Sequence, residues 1–160
     1  MSVQKKYTGV IVPAVTPLTY KLQIDEAAVS KLFAFFYKHN ISPFILGTTG
    51  EAASSPLQIK KDYVLAAAKN NKLGTLLYAG ISSNVLTESI EFAEFCKEHA
   101  VDVVVTTLPS YYALTEKQML NYLTTLADAI SLPLFIYNIP ATTHMSIPLP
   151  LIDELSQHKN

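Results

Sequence analysis

The sequence predicts an α/β fold built around a parallel sheet. Short apolar runs alternate with longer amphipathic stretches along the 160 residues. The runs are almost continuously apolar, which is typical of strands buried on both faces of a parallel sheet. They lie at 10–15, 43–46, 75–79, 101–107 and 133–137. The intervening stretches are long enough to be helices that connect one parallel strand to the next.

The first intervening stretch shows the spacing of an amphipathic helix. Val29, Phe33 and Phe36 recur at three- and four-residue intervals and therefore share one helix face. Asp25 is expected to cap the start of this helix, and Asn40 to end it.

Two later helices have the sequence signature of a capping box. In the first, Ser55 precedes Gln58 by three residues and Pro56 is expected at the first helical position. In the second, Thr115 precedes Gln118 in the same way. We expect the second of these helices to bury a single face, formed by Met119, Leu123, Leu126, Ala127 and Ile130.

A helix is also expected between the third and fourth strands, over residues 85–98. Its inward face should contain Val85, Phe92, Ala93 and Cys96. The apolar stretch at 146–155 begins a further helix. Five βα units fit either a complete flavodoxin-like sheet or the first five-eighths of a (β/α)8 TIM barrel, which needs about 250 residues. The pattern leaves both architectures open.

Composition excludes several classes of protein. Hydrophobic residues make up 49% and the net charge is −1, so the chain can bury a core and has no basic field for nucleic acid. The apolar runs are too short to span a membrane, and residues 1–7 lack the apolar block of a signal peptide. The single cysteine, Cys96, cannot form an internal disulfide. We expect a cytoplasmic globular protein.

Polar residues at the carboxyl ends of the strands are the candidates for function. Residues 47–51, with the sequence GTTGE, join a strand to a helix and could hold a carboxylate. An ordinary βα turn explains them equally well. Tyr111, Tyr112 and Tyr137 could move protons, although most of the nine tyrosines are expected to be packing residues. The four histidines lack metal-ligand spacing.

Taken together and in order, these segments resemble the dihydrodipicolinate synthase / N-acetylneuraminate lyase family. The resemblance rests on GTTGE at 47–51, PSYY at 109–112 and YNIP at 137–140. The opening stretch at 9–17 and the turn SSN at 82–84 fit as well. The resemblance therefore covers essentially the whole chain.

Such a resemblance implies a (β/α)8 barrel, usually assembled as a homotetramer, that acts on pyruvate or another 2-oxo acid. A lysine forms a Schiff base with the keto carbon, and the protonated imine allows an adjacent carbon–carbon bond to form or break. No metal and no organic cofactor is implied.

The resemblance also implies roles for individual residues. Tyr137 would exchange protons near the imine, and Thr48 would relay a hydrogen bond between two tyrosines. Thr49 and Gly50 would bind the substrate carboxylate through the turn. Tyr111 would be the tyrosine that the family inserts into the neighbouring subunit's site. A hydrogen-bonded line from Tyr111 through Thr48 to Tyr137 would pass protons between phenols.

Two departures from the family pattern change the prediction. The Schiff-base lysine follows the sixth strand in this family, and no lysine of this chain, Lys159 included, matches it. Residues 1–160 are therefore expected to be an incomplete TIM-barrel domain, the N-terminal part of a longer enzyme and inactive alone. A real short product with only a binding or assembly role is the alternative.

The second departure concerns the substrate. True dihydrodipicolinate synthases carry an arginine just after the YNIP motif, whereas this chain continues with Ala141, Thr142 and Thr143. This favours an aldolase or lyase for 2-keto-3-deoxy sugar acids. The alternatives are a 4-hydroxy-tetrahydrodipicolinate synthase, or a flavodoxin-like binding domain.

Overall fold

The computed structural model describes residues 7–160. The prediction that residues 1–7 contain no signal peptide therefore falls almost entirely outside the described residues. Every strand pairing is parallel, and each strand pairs with the next one along the chain. The strands are β1 (Val10–Pro13), β2 (Ile41–Ile45), β3 (Tyr78–Gly80), β4 (Val103–Thr106) and β5 (Leu134–Ile136). A sequential order excludes the flavodoxin-like alternative, in which the first strand lies between the second and third.

Helices follow the strands in regular alternation. They are α1 (Glu26–Lys38), α2 (Leu57–Asn70), α3 (Leu86–Glu98), α4 (Glu116–Ala129), α5 (Pro140–Thr143) and α6 (Leu149–Ser156). A single 3₁₀ turn, Ala52–Ser54, precedes α2. The turn and α5 were not predicted, because three or four residues are too few to show a helical period. None of the helices within residues 7–160 is long and apolar enough to cross a bilayer.

The first and fourth helices form as predicted. The Asp25 carboxylate accepts the N–H of Ala28 at 3.0 Å, and Asn40 takes a left-handed conformation with φ of 54° just after the helix. At the start of α4, Thr115 accepts the N–H of Gln118, while the Gln118 side chain accepts the N–H of Thr115. These two backbone N–H groups, which have no acceptor within the helix, are therefore both hydrogen-bonded.

Two predictions at helix starts are wrong. Pro56 is the N-cap of α2, not its first residue, and the Ser55 hydroxyl donates to the carbonyl of Glu51 at 3.1 Å instead of capping the helix. That hydroxyl is engaged by the preceding 3₁₀ turn. Val85 precedes α3 and is 48% exposed, whereas Phe92 and Cys96 are buried as predicted.

Apolar side chains cover both faces of the sheet. The main core lies between the sheet and the helices and contains the inward faces of α1 to α4. A smaller cluster, Phe44, Tyr78, Val103 and Val105, lies on the other face. Cys96 belongs to the main core, where burial raises the pKa of its thiol to about 12. Cys96 is therefore a packing residue.

The outer strands differ from the prediction of burial on both faces. β3 and β4 are fully buried, but Val10 of β1 is 58% exposed and Ile136 of β5 is 37% exposed. Each outer strand has a neighbour on one side only within the described sheet. Unpaired strand edges normally pair with further chain or are protected by other means.

Candidate active site

The carboxyl ends of β2 to β5 surround a cavity of about 510 Å³. Parallel strands bring all their carboxyl ends to one edge of the sheet, so residues distant in sequence meet there. The polar side chains around it are mostly hydroxyls and amides, from Thr48, Ser82, Ser83, Asn84, Thr107, Ser110, Thr142 and Thr143. Tyr137 lines the same cavity, as predicted from its place after the fifth strand.

The turn after β2, residues 46–51, is held by its own backbone. The carbonyl of Gly47 accepts the N–H of Gly50 at 3.1 Å, and the carbonyl of Thr48 accepts the N–H of Glu51 at 3.0 Å. Within residues 7–160, the N–H groups of Thr48 and Thr49 have no such acceptor. Two consecutive unpaired N–H groups can bind an anion. Gly50 does not offer its N–H, since Gly47 accepts it.

Glycine is required at this edge for close packing. The left-handed residues of the turn are Leu46 (φ 57°) and Glu51 (φ 52°) rather than the two glycines. A Cβ at Gly50 would lie 3.0 Å from the carbonyl oxygen of Ala14, and one at Gly80 would overlap the Leu46 carbonyl. Gly50 and Gly80 therefore allow the segments at the ends of β1, β2 and β3 to pack closely, and neither adopts a positive φ.

Tyr137 is fixed by its backbone and its ring. Its N–H donates to the carbonyl of Thr106 at 2.7 Å, which continues the pairing of β5 with β4. Its ring meets Phe44 edge to face, with centroids 6.5 Å apart. The side chain is 36% exposed, so its phenol can reach a ligand in the cavity.

The loop between β4 and α4 places its tyrosines elsewhere. Tyr111 and Tyr112 are 76% and 75% exposed, and their rings meet edge to face at 4.8 Å. Both line a second, more apolar cavity of about 450 Å³, bounded by α3 and α4. The described residues show no hydrogen bond joining Tyr111, Thr48 and Tyr137, because Tyr111 lines a different cavity from the other two. The predicted line of hydroxyls, in which Tyr111 belongs to a neighbouring subunit, stays a prediction.

A sequence comparison identifies the family. The profile of the dihydrodipicolinate synthetase family matches residues 6–160. The chain belongs to this family. Two similar relatives are the 4-hydroxy-tetrahydrodipicolinate synthases of Staphylococcus carnosus and Acidiphilium cryptum, with 29% and 30% identity over 95% and 96% of this chain. These alignments cover 52% and 53% of the relatives. The chain thus spans about half the length of the curated relatives that it matches.

Solved structures agree on the fold of this family member. YagE from E. coli K12, described as a prophage protein of the dihydrodipicolinic acid synthase family in complex with pyruvate, superposes with a TM-score of 0.90 at 25% identity. The match covers 95% of this chain and 51% of YagE. A catalytic lysine mutant of the Ruminococcus gnavus sialic acid aldolase superposes with a TM-score of 0.84 at 21% identity. This match covers 92% of this chain and 50% of the aldolase chain. The predicted fold, the N-terminal part of a TIM barrel, is confirmed.

Two charged residues at the candidate site are not among those predicted from the sequence. Lys60 in α2 and Glu88 in α3 both line the cavity. Burial lowers the pKa of the Lys60 amine, and the nearby Glu88 opposes this effect. Both residues lie in the first turn of their helix, which begins at the same edge of the sheet. The start of a helix that follows a strand end is therefore the signal in the sequence that points to both residues.

Proposed function

We propose that the protein is the N-terminal half of a Schiff-base-forming lyase or aldolase that acts on pyruvate or a 2-keto-3-deoxy sugar acid. The observation that supports this most directly is that a member of the family brings Thr48 and Tyr137 to one cavity at the strand ends. The family includes YagE, whose structure contains pyruvate. In this proposal no metal and no organic cofactor takes part.

The site's chemistry follows from the groups present. The unpaired N–H groups of Thr48 and Thr49 would bind the substrate carboxylate, with Gly50 keeping the turn closely packed. The Tyr137 phenol would donate and accept the proton beside the reacting carbon. The lysine that forms the Schiff base would come from sequence beyond these residues, since Lys60 approaches the cavity from α2 rather than from a strand end.

The lining supports a sugar acid as substrate. Thr142 lies on the cavity just after the YNIP motif, and neighbouring hydroxyls of Ser82, Ser110 and Thr107 could hydrogen-bond a polyhydroxylated chain. The charged lining residues are Glu51, Glu88 and Lys60, which gives little attraction for a second carboxylate. The names of the relatives support a second candidate, a 4-hydroxy-tetrahydrodipicolinate synthase.

Assembly and location are part of the same proposal. We propose a homotetramer in the cytoplasm, in which Tyr111 completes the site of a neighbouring subunit. Exposure of 76% for Tyr111, on a loop bordering an apolar cavity, supports a role outside its own chain.

Binding of pyruvate to the 160-residue chain tests the carboxylate site. We expect pyruvate to shift the amide resonances of residues 47–51 in a nitrogen–proton spectrum, because two free N–H groups meet the carboxylate. Thr48→Pro, which removes one of these donors, should abolish the shifts, while the exposed Thr87→Ala serves as a control. Shifts that acetate or chloride reproduces equally would contradict a site for 2-oxo acids.

Trapping with borohydride tests the missing nucleophile. Pyruvate and borohydride together should leave the intact mass of this chain unchanged, whereas the longer natural protein should gain a reduced pyruvate adduct. An adduct on Lys60 would show that the nucleophile lies in α2 after all. A natural protein of only 160 residues that forms no adduct would overturn the enzyme proposal in favour of a binding or assembly role.

Turnover by the longer protein tests the role of Tyr137. Tyr137→Phe should lower kcat by roughly 100-fold or more, the range for a general acid–base group, without unfolding the protein. Tyr112→Phe, on the exposed loop, is the control and should retain activity. Unchanged turnover in Tyr137→Phe would remove the proton-transfer role.

A further inference from the structure

A single side chain connects the turn after β3 to the loop after β4. The Asn84 side-chain oxygen accepts the N–H of Ser110 at 2.9 Å and the N–H of Tyr111 at 3.1 Å. Within the described part of the chain, these are the hydrogen bonds that tie residues 109–113 to the rest of the fold.

The position of Asn84 is itself well defined. Its neighbour Ser83 donates its hydroxyl to Glu88 at 2.6 Å and accepts the N–H of Val85 at 3.1 Å. The turn is thereby fixed to the first residues of α3. A backbone group that is hydrogen-bonded to Asn84 is therefore held in a fixed position relative to α3 and to the end of β3.

Asn84 also lies where the two cavities meet. It lines both of them, whereas Ser110 lines the first and Tyr111 the second. The loop thus passes from one cavity to the other between two consecutive residues, and both residues donate to the same oxygen. A carbonyl oxygen can accept two such bonds because it has two lone pairs.

We propose that Asn84 is a positioning residue that fixes the loop carrying Tyr111 and keeps the Tyr111 side chain out of the cavity of Thr48 and Tyr137. This inference rests on the proposed function, in which Tyr111 acts on another subunit. With the loop held, Ser110 faces the cavity of its own chain and Tyr111 remains available to a neighbour.

Amide hydrogen exchange in the ligand-free chain tests the proposal. Asn84→Leu keeps the size of the side chain but removes the acceptor, so the Ser110 and Tyr111 amides should exchange about 10-fold faster, as expected from one net hydrogen bond. Asn84→Asp keeps an acceptor and should restore slow exchange at both amides. The Thr107 amide, which donates to Ser82, should change in neither variant.

Asn71 provides a matched control, since its side chain accepts from Tyr37 and donates to Thr75 at the opposite edge of the sheet. Asn71→Leu should leave exchange at Ser110 and Tyr111 unchanged. Native exchange in Asn84→Leu, or no rescue by Asn84→Asp, would overturn the proposal. Hydrogen exchange is measured without pyruvate, so its outcome does not depend on ligand binding. Faster exchange in Asn84→Leu, together with no pyruvate binding by the unsubstituted chain, would reject the proposed function but leave the positioning role of Asn84 in place.

Discussion

The turn after β2 and the loop after β4 flank the same cavity but are built in opposite ways. In the turn, a Cβ at Gly50 would lie only 3.0 Å from the carbonyl oxygen of Ala14, and the Thr16 hydroxyl donates to the Gly50 carbonyl at 2.6 Å. In the loop, Ser110, Tyr111 and Tyr112 are exposed, and one asparagine side chain supplies the hydrogen bonds that tie them down.

This difference separates two tasks at one site. A carboxylate pocket formed by backbone N–H groups needs fixed geometry, which close packing between strands provides. A loop that contacts another molecule needs exposed aromatic surface and tolerates mobility. A Cβ added at the closely packed glycines of this edge should therefore affect folding, whereas substitutions of the exposed side chains of the loop should have little effect on stability.

The largest effect is expected at Gly80, where β3 meets the turn. In Gly80→Ala the new Cβ would overlap the carbonyl of Leu46, which is backbone and cannot move aside. We expect the free energy of unfolding to fall by about 3 kcal/mol or more, the upper range for overpacking. Urea unfolding followed by circular dichroism measures this.

Gly74→Ala is the control for this substitution. A Cβ at Gly74 meets open space, and only its φ of 87° disfavours a side chain. The cost should be about 1–2 kcal/mol, that of a left-handed residue. Equal losses for the two variants would contradict the claim that close packing, rather than backbone conformation, fixes the turn.

Local signals in the sequence were sufficient for much of the fold. The helical period and polar caps predicted α1 and α4, because these features depend on residues a few positions apart. Thr48 and Tyr137 were found as residues of one cavity because parallel strands bring their carboxyl ends together.

Contacts between distant segments are what the sequence does not show. It does not reveal that the Gly80 backbone lies against Leu46, because these residues belong to segments that are far apart in the chain. The approach of Lys60 to the cavity depends on how α2 lies on the sheet, which the helical pattern by itself does not show. Tyr111 lines the second cavity of its own chain, and its expected place in the site of a neighbouring subunit stays a prediction.

An intermediate effect is expected at the helix that follows the loop. Thr115→Ala removes the acceptor for the Gln118 N–H and opens the capping box of α4, which should cost about 1 kcal/mol. Ser55→Ala, before α2, should cost less, because Ser55 caps no helix N–H. Equal costs from thermal or urea unfolding would mean that Ser55 stabilises α2 as strongly as a true cap.

The smallest effect is expected in the loop itself. Tyr111 is 76% exposed and its ring contacts Tyr112, so Tyr111→Ser should change the free energy of unfolding by no more than about 0.5 kcal/mol. The backbone N–H of residue 111 still donates to Asn84 in this variant, so the loop keeps its position. Urea unfolding of the variant at low protein concentration measures the effect on the single chain. A loss well above 1 kcal/mol there would mean that the loop stabilises its own chain, and the contrast between a packed turn and an outward-facing loop would fail.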